Sequence, residues 1–100
     1  MLKRTEEIAG TSLQGYTPPT TRAELTAVLG EPIQYEGGDK ITIEWGFSFG
    51  STVATVYDWK RYEQGTPADD EEMIYNIGGN DPKAVYLVNG LLELSRKVAN

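Results

Sequence analysis

Residues 53–60, VATVYDWK, turn a run of small and β-branched residues into two aromatics, a carboxylate and an ammonium. Strand side chains alternate with period two, so Tyr57 and Trp59 project from one face and can stack on a flat ligand. Lys60 can meet a phosphate as a point charge, and Arg61 follows it directly. Asp58 projects to the opposite face, where a Lys or Arg from a helix is its expected partner. The plainer reading is a strand end whose aromatics cover the sheet. In a chain with 10% aromatic residues, core duty is the commoner fate of any one of them.

A second cluster is TSLQGY at 11–16. It brings the Thr11 hydroxyl, the Gln14 amide and the Tyr16 phenol together, and Gly15 allows a backbone to approach. This set suits hydrogen bonding to a nucleobase with stacking by Tyr16, and it equally suits an edge strand that pairs with another subunit. A third stretch, IGGNDP at 77–82, sets Gly78 and Gly79 just before a helix start, where free amides can hold an anion. A plain glycine turn is the better reading, because the Asp81 carboxylate competes for the same helix terminus. Asn76 can both donate to and accept from a polar ring edge.

Catalysis has little to draw on. The chain has no histidine and no cysteine, which removes the usual general base near neutral pH, the commonest metal ligand and thiolate chemistry. Glu44 and Asp58 fall on opposite strand faces. Asp69, Asp70, Glu71 and Glu72 are expected in a mobile loop without a supporting shell, so no two carboxylates converge on a rigid frame. A non-catalytic binding protein without metal or cofactor is the expectation. Net charge is −6, which disfavours general nucleic-acid binding, since that needs a basic footprint. One hundred residues make one domain, 39% hydrophobic and 24% charged, with residues 1–10 read as a flexible polar lead-in. No stretch approaches a membrane span, and MLKRTEEIAG has no apolar segment of the signal-peptide kind. Cysteine absence fits a reducing cytoplasm.

The elements that would position these clusters are legible. In TTRAELTAVLGEP, Thr21 caps a short helix, Glu24 completes a capping box, and Gly30 with Pro32 ends it; Leu25, Val28 and Leu29 form its inward face. EGGDK at 36–40 reads as a turn. KITIEWGFSFG then alternates strictly, with Ile41, Ile43, Trp45, Phe47 and Phe49 on one face. Gly50-Ser51 is a hairpin turn with glycine first, which sets Phe49 opposite Thr52, Phe47 opposite Ala54 and Trp45 opposite Val56. Glu44, Ser48, Thr55, Tyr57 and Trp59 share the other face. MIYNIGG gives a third strand, and Asp81-Pro82 opens a second helix striped by Ala84, Val85, Val88, Leu91, Leu92 and Ser95. Gly90 weakens that helix unless another backbone approaches it. The expected fold is α+β, a three- to four-stranded antiparallel sheet with two flanking helices, the fourth strand being the TSLQGY arm.

The ordered set TSLQGY, TTRAELTAVLGEP, EWGFSF, STVATVYDWK and YNIGG resembles a widespread family of small viral proteins, mostly from bacteriophages, over roughly residues 10–89. Two departures stand out: Tyr75 and Asn76 replace a tryptophan and histidine before IGG, and the acidic loop at 69–72 is longer. No ligand role of that histidine carries over. The family in turn resembles viral sponge proteins that blunt host antiviral signalling of the CBASS type by binding cyclic di- or oligonucleotides without cleaving them. The resemblance implies a cytoplasmic homo-oligomer in the host cell. In this reading Tyr57 and Trp59 form aromatic walls and Lys60 or Arg61 neutralises phosphate. Gln14 and Asn76 read base edges, Thr11 and Tyr16 are further ligand-binding residues of the same arm, and the Gly78-Gly79 backbone approaches the sugar-phosphate ring. The rival is a protein–protein inhibitor of a host defence enzyme, docking through the acidic loop and a sheet edge.

Overall fold

A computed structural model describes residues 2–4, 10–35 and 40–99 of the chain. The turn expected at 36–40 therefore lies almost wholly outside the described residues. Among the described residues six strands and two helices follow one another as β1 (Leu2–Arg4), β2 (Ser12–Tyr16), α1 (Arg22–Leu29), β3 (Ile33–Gln34), β4 (Ile43–Phe49), β5 (Thr52–Tyr57), β6 (Asn76–Gly79) and α2 (Lys83–Ala99). Five strands run in the order β1-β4-β5-β6-β2, and the two-residue β3 pairs with β4 near its start; every pairing is antiparallel. The class is α+β as expected, with a wider sheet than expected. The additions are β1, formed by Leu2–Arg4 where a lead-in was expected, and β3; both sit on the edge of β4 away from β5.

The central hairpin has the expected register, with Phe49 opposite Thr52, Phe47 opposite Ala54 and Trp45 opposite Val56. Gly50 makes this possible by turning at φ 61°, a backbone region that L side chains rarely adopt. On the inward face Ile43, Trp45, Phe47, Ala54, Val56 and Ile77 pack with Leu25 and Leu29 of α1 and with Ala84, Val88 and Leu92 of α2. Both helices thus cover one face of the sheet. Trp45 fixes α1 to it by donating its indole N–H to the Gly30 carbonyl at 3.0 Å, and stands edge-on to Tyr75 at 5.7 Å.

Helix α1 starts as its sequence implies: the Thr21 hydroxyl accepts from the Glu24 amide at 3.1 Å, and the chain leaves at Gly30 with φ 89°. The Glu24 side chain departs from the capping box. It accepts from the Thr20 hydroxyl at 2.5 Å and from Arg96 of α2 at 2.8 Å, so the two helices are joined by an ion pair. The Arg96 guanidinium is the leading reason that the Glu24 carboxyl is held below its ordinary range. Asp81 caps α2, its carboxylate accepting from the Lys83 amide at 2.6 Å and from the Thr52 hydroxyl at 3.3 Å. Among the described residues no backbone approaches Gly90, and a Cβ there would meet nothing within 4 Å. Gly90→Ala is therefore expected to stabilise the protein by about 0.5–1 kcal/mol, read as a higher midpoint in urea unfolding with an unchanged slope.

Candidate functional site

The face of the sheet opposite the helices carries one continuous row across four strands. Glu44 on β4 stands opposite Tyr57 on β5, Tyr57 opposite Asn76 on β6, and Asn76 opposite Tyr16 on β2. Residues directly opposite in antiparallel strands share a face, with Cβ atoms about 5 Å apart, so the four side chains form a band. Tyr16 is 56% exposed and Tyr57 half-buried, with Asn76 directly opposite it on β6. Burial, above all, pushes the Tyr57 phenol up from its ordinary pKa. Trp59 continues the band beyond the end of β5: its ring stands edge-on to Tyr57 at 6.1 Å and it is 43% exposed.

Lys60 takes a left-handed backbone conformation at φ 55°, and its amide donates to the Lys40 carbonyl at 2.7 Å. A non-glycine residue there is uncommon and costs about 1 kcal/mol. The turn ends the strand and brings the Lys60 ammonium to 5.7 Å from the centre of the Trp59 ring, a cation–π distance. A cation thus stands beside the most exposed indole, which is the combination needed to hold a planar ring bearing a phosphate.

Asp58, between the two aromatics, has a different partner from the expected one. It is fully buried on the other side of the strand, and no Lys or Arg reaches it among the described residues. Its carboxylate instead accepts from the backbone amides of Thr42 at 2.8 Å and Ile43 at 3.1 Å, and from the Thr42 hydroxyl. Asp58 is a pin that holds the start of β4 against the end of β5, and so sets where Tyr57 and Trp59 stand.

Other candidate residues have separate duties. The Arg61 guanidinium is turned into its own loop, donating to the Gly65 carbonyl at 2.9 Å and the Glu71 carboxylate at 2.6 Å. Gln14 sits at a bulge between Leu13 and Gly15 and donates its amide to the Gly79 carbonyl at 3.1 Å. Thr11 is half-buried immediately before β2. Gly78 and Gly79 point to opposite faces. A Cβ on Gly78 would lie 2.6 Å from the Thr55 hydroxyl and 3.3 Å from the Tyr57 ring, so Gly78 lets that ring lie across β6. A Cβ on Gly79 would lie 2.4 Å from the Ala84 Cβ, so Gly79 belongs to the packing of α2. The structure brings together Tyr16, Tyr57, Trp59, Lys60, Asn76 and Gly78, and leaves Arg61 and Gly79 outside the band.

Two neighbours of the band escaped the sequence reading as site residues. Glu44 is weighed there as a catalytic carboxylate and set aside, although the hairpin register already sets it opposite Tyr57. Tyr35, which follows β3, donates its hydroxyl to the Glu44 carboxylate at 2.8 Å. A two-residue strand has no periodicity from which to foresee that contact. The acidic loop also differs from expectation, being tied down by Arg61–Glu71 at 2.6 Å and Arg22–Asp69 at 3.7 Å. Among the described residues no group of three or more His, Cys, Asp or Glu is placed to hold a metal, and no helix is long and apolar enough to cross a membrane. Comparison with protein-family models, curated proteins and solved structures yields no match.

Proposed function

We propose that the chain captures a cyclic nucleotide at the Tyr16–Tyr57–Trp59 end of its sheet and holds it without cleaving it. The observation that carries this reading is the Lys60 ammonium held 5.7 Å from the Trp59 ring, at the end of a band of two tyrosines and an asparagine. A base stacks on the aromatic side chains, the Asn76 amide meets its polar edge, and Lys60 neutralises phosphate. The resemblance to small phage proteins gives the context: a counter-defence sponge working in the host cytoplasm as a homo-oligomer, removing a CBASS-type immune signal from its receptor. Holding such a ligand needs no general base, which suits a chain without histidine or cysteine.

Calorimetry with cyclic di-GMP, cyclic di-AMP and cyclic GMP–AMP tests the reading. Tight binding of at least one is expected, and Trp59→Ala should weaken it by about tenfold to a hundredfold, the value of one base–aromatic stack. Folded protein that gives no heat with any of the three rejects it.

A second reading rests on the acidic loop. Because Arg22 and Arg61 hold it in place, it presents the exposed Asp70 and Glu72 in a fixed arrangement, as an inhibitor docking on a basic host surface would require. Asp69 and Glu71 are part of the tether, so reversal of Asp70 and Glu72 alone, as Asp70→Lys with Glu72→Lys, separates the two. It should leave nucleotide capture intact, whereas loss of inhibition with capture unchanged would favour docking.

A further inference from the structure

Glu44 is a carboxylate 5% exposed, in a row with Tyr57 and Asn76. Its one hydrogen-bond donor among the described residues is the neutral Tyr35 hydroxyl, on Oε1, and no Lys or Arg forms an ion pair with it there. Burial is the main cause that raises its pKa, with the nearby Asp58 carboxylate adding to the rise and the Tyr35 hydrogen bond opposing it. Burying a carboxylate against a single neutral donor is unfavourable, and the fold gains little from it: the backbone of Glu44 pairs with Ile33 and Tyr57 whatever the side chain. Such a group beside an aromatic platform is suited to a ligand that brings its own donors.

Resting on the ligand reading above, we infer that Glu44 selects guanine, its carboxylate accepting from the N1–H and the N2 amino group of a base stacked beside Tyr57. An ionised carboxylate only accepts. Guanine presents two adjacent N–H donors on its pairing edge, which a carboxylate can engage together. Adenine and cytosine pair an amino group with a bare ring nitrogen, and uracil flanks one N–H with two carbonyls. A carboxylate facing any of those three meets at least one acceptor and is repelled by it. The Tyr35 hydroxyl occupies one lone pair of Oε1 and so orients the group.

Titration of the intact protein with cyclic di-GMP and cyclic di-AMP, in wild type and Glu44→Gln, decides the matter. Wild type should bind cyclic di-GMP at least about tenfold more tightly than cyclic di-AMP, within the discrimination one bidentate contact supplies. Glu44→Gln should lose that preference, because its amide presents a donor to a donor, while binding cyclic di-AMP no more weakly. The same variant should melt at or above the wild-type temperature, since it removes a buried charge and keeps an acceptor for Tyr35; a merely structural carboxylate would lower it. Equal affinities or an adenine preference in wild type would overturn the inference, even should the variant fail to fold. Unchanged guanine preference in Glu44→Gln overturns it while the ligand reading stands. Absence of binding to either ligand and to cyclic GMP–AMP removes that reading and this inference with it.

Discussion

Asp58→Ala is expected to cost about 3–5 kcal/mol, enough to leave much of a small domain unfolded at 37 °C. The carboxylate is fully buried and accepts three hydrogen bonds, two of them from backbone amides. Truncation strands the Thr42 and Ile43 amides and the Thr42 hydroxyl in a site that excludes water, and it leaves a small cavity. Asp58→Asn is the informative companion. Its Oδ1 can keep both amide bonds and its NH2 can donate to the Thr42 hydroxyl, so the loss should fall to about 1–2 kcal/mol, the difference between charged and neutral acceptors. Urea unfolding followed by tryptophan fluorescence measures both variants. Similar losses for Ala and Asn would mean that the charge, not the hydrogen-bond geometry, is what the site requires.

Gly79→Ala is expected to destabilise by about 2–3 kcal/mol, the upper part of the range for overpacking a well-filled contact. A Cβ at Gly79 would come to 2.4 Å of the Ala84 Cβ and 2.9 Å of the Val53 carbonyl, one contact on the first turn of α2 and the other on the backbone of β5. Neither neighbour is the free end of a flexible side chain, so α2 must lift from the sheet. Adding Ala84→Gly should restore part of the loss. The rescue is incomplete because the Val53 carbonyl stays close and glycine in a helix costs up to about 1 kcal/mol. Thermal unfolding of the two single variants and the double variant checks this, and additive losses would show that the helix does not rest on Gly79.

The two adjacent glycines illustrate what could be read in the chain and what could not. Side-chain alternation tells that Gly78 and Gly79 face opposite ways, but not which face the helix takes. That was decided by the hairpin: once Gly50-Ser51 set Phe49 opposite Thr52, Trp45, Phe47, Ala54 and Val56 became the apolar side and Glu44, Thr55 and Tyr57 the other. The caps of α1 and α2 were equally plain, because Thr21, Gly30 and Asp81 act through local geometry. Contacts between residues distant in sequence were not. LKR at 2–4 has no alternation to mark an edge strand, and β3 is two residues long. Asp58 was expected to find a cation and found backbone amides instead. Arg61 was expected to be available to phosphate, yet Glu71, ten residues on, closes its loop. Each of these depends on which side chain arrives first in three dimensions, and periodicity is silent on that.

The candidate site follows the same division. Tyr57 and Trp59 were visible as a pair on one face, and Asn76 and Tyr16 as suitable chemistry, but their alignment in one row depends on the β5–β6 and β6–β2 registers. The buried Glu44 and its Tyr35 partner add a charged acceptor to that row, and the guanine preference inferred above rests on it.

Amide and indole N–H chemical shifts of uniformly labelled protein, recorded as a cyclic dinucleotide is added, test most directly that this end of the sheet is a binding surface. The largest changes are expected at the Trp59 indole and at the amides of Tyr16, Tyr57, Lys60 and Asn76, with the loop at 69–72 unmoved. Changes centred on that loop or on α2, or a spectrum that no cyclic dinucleotide alters, would contradict that assignment.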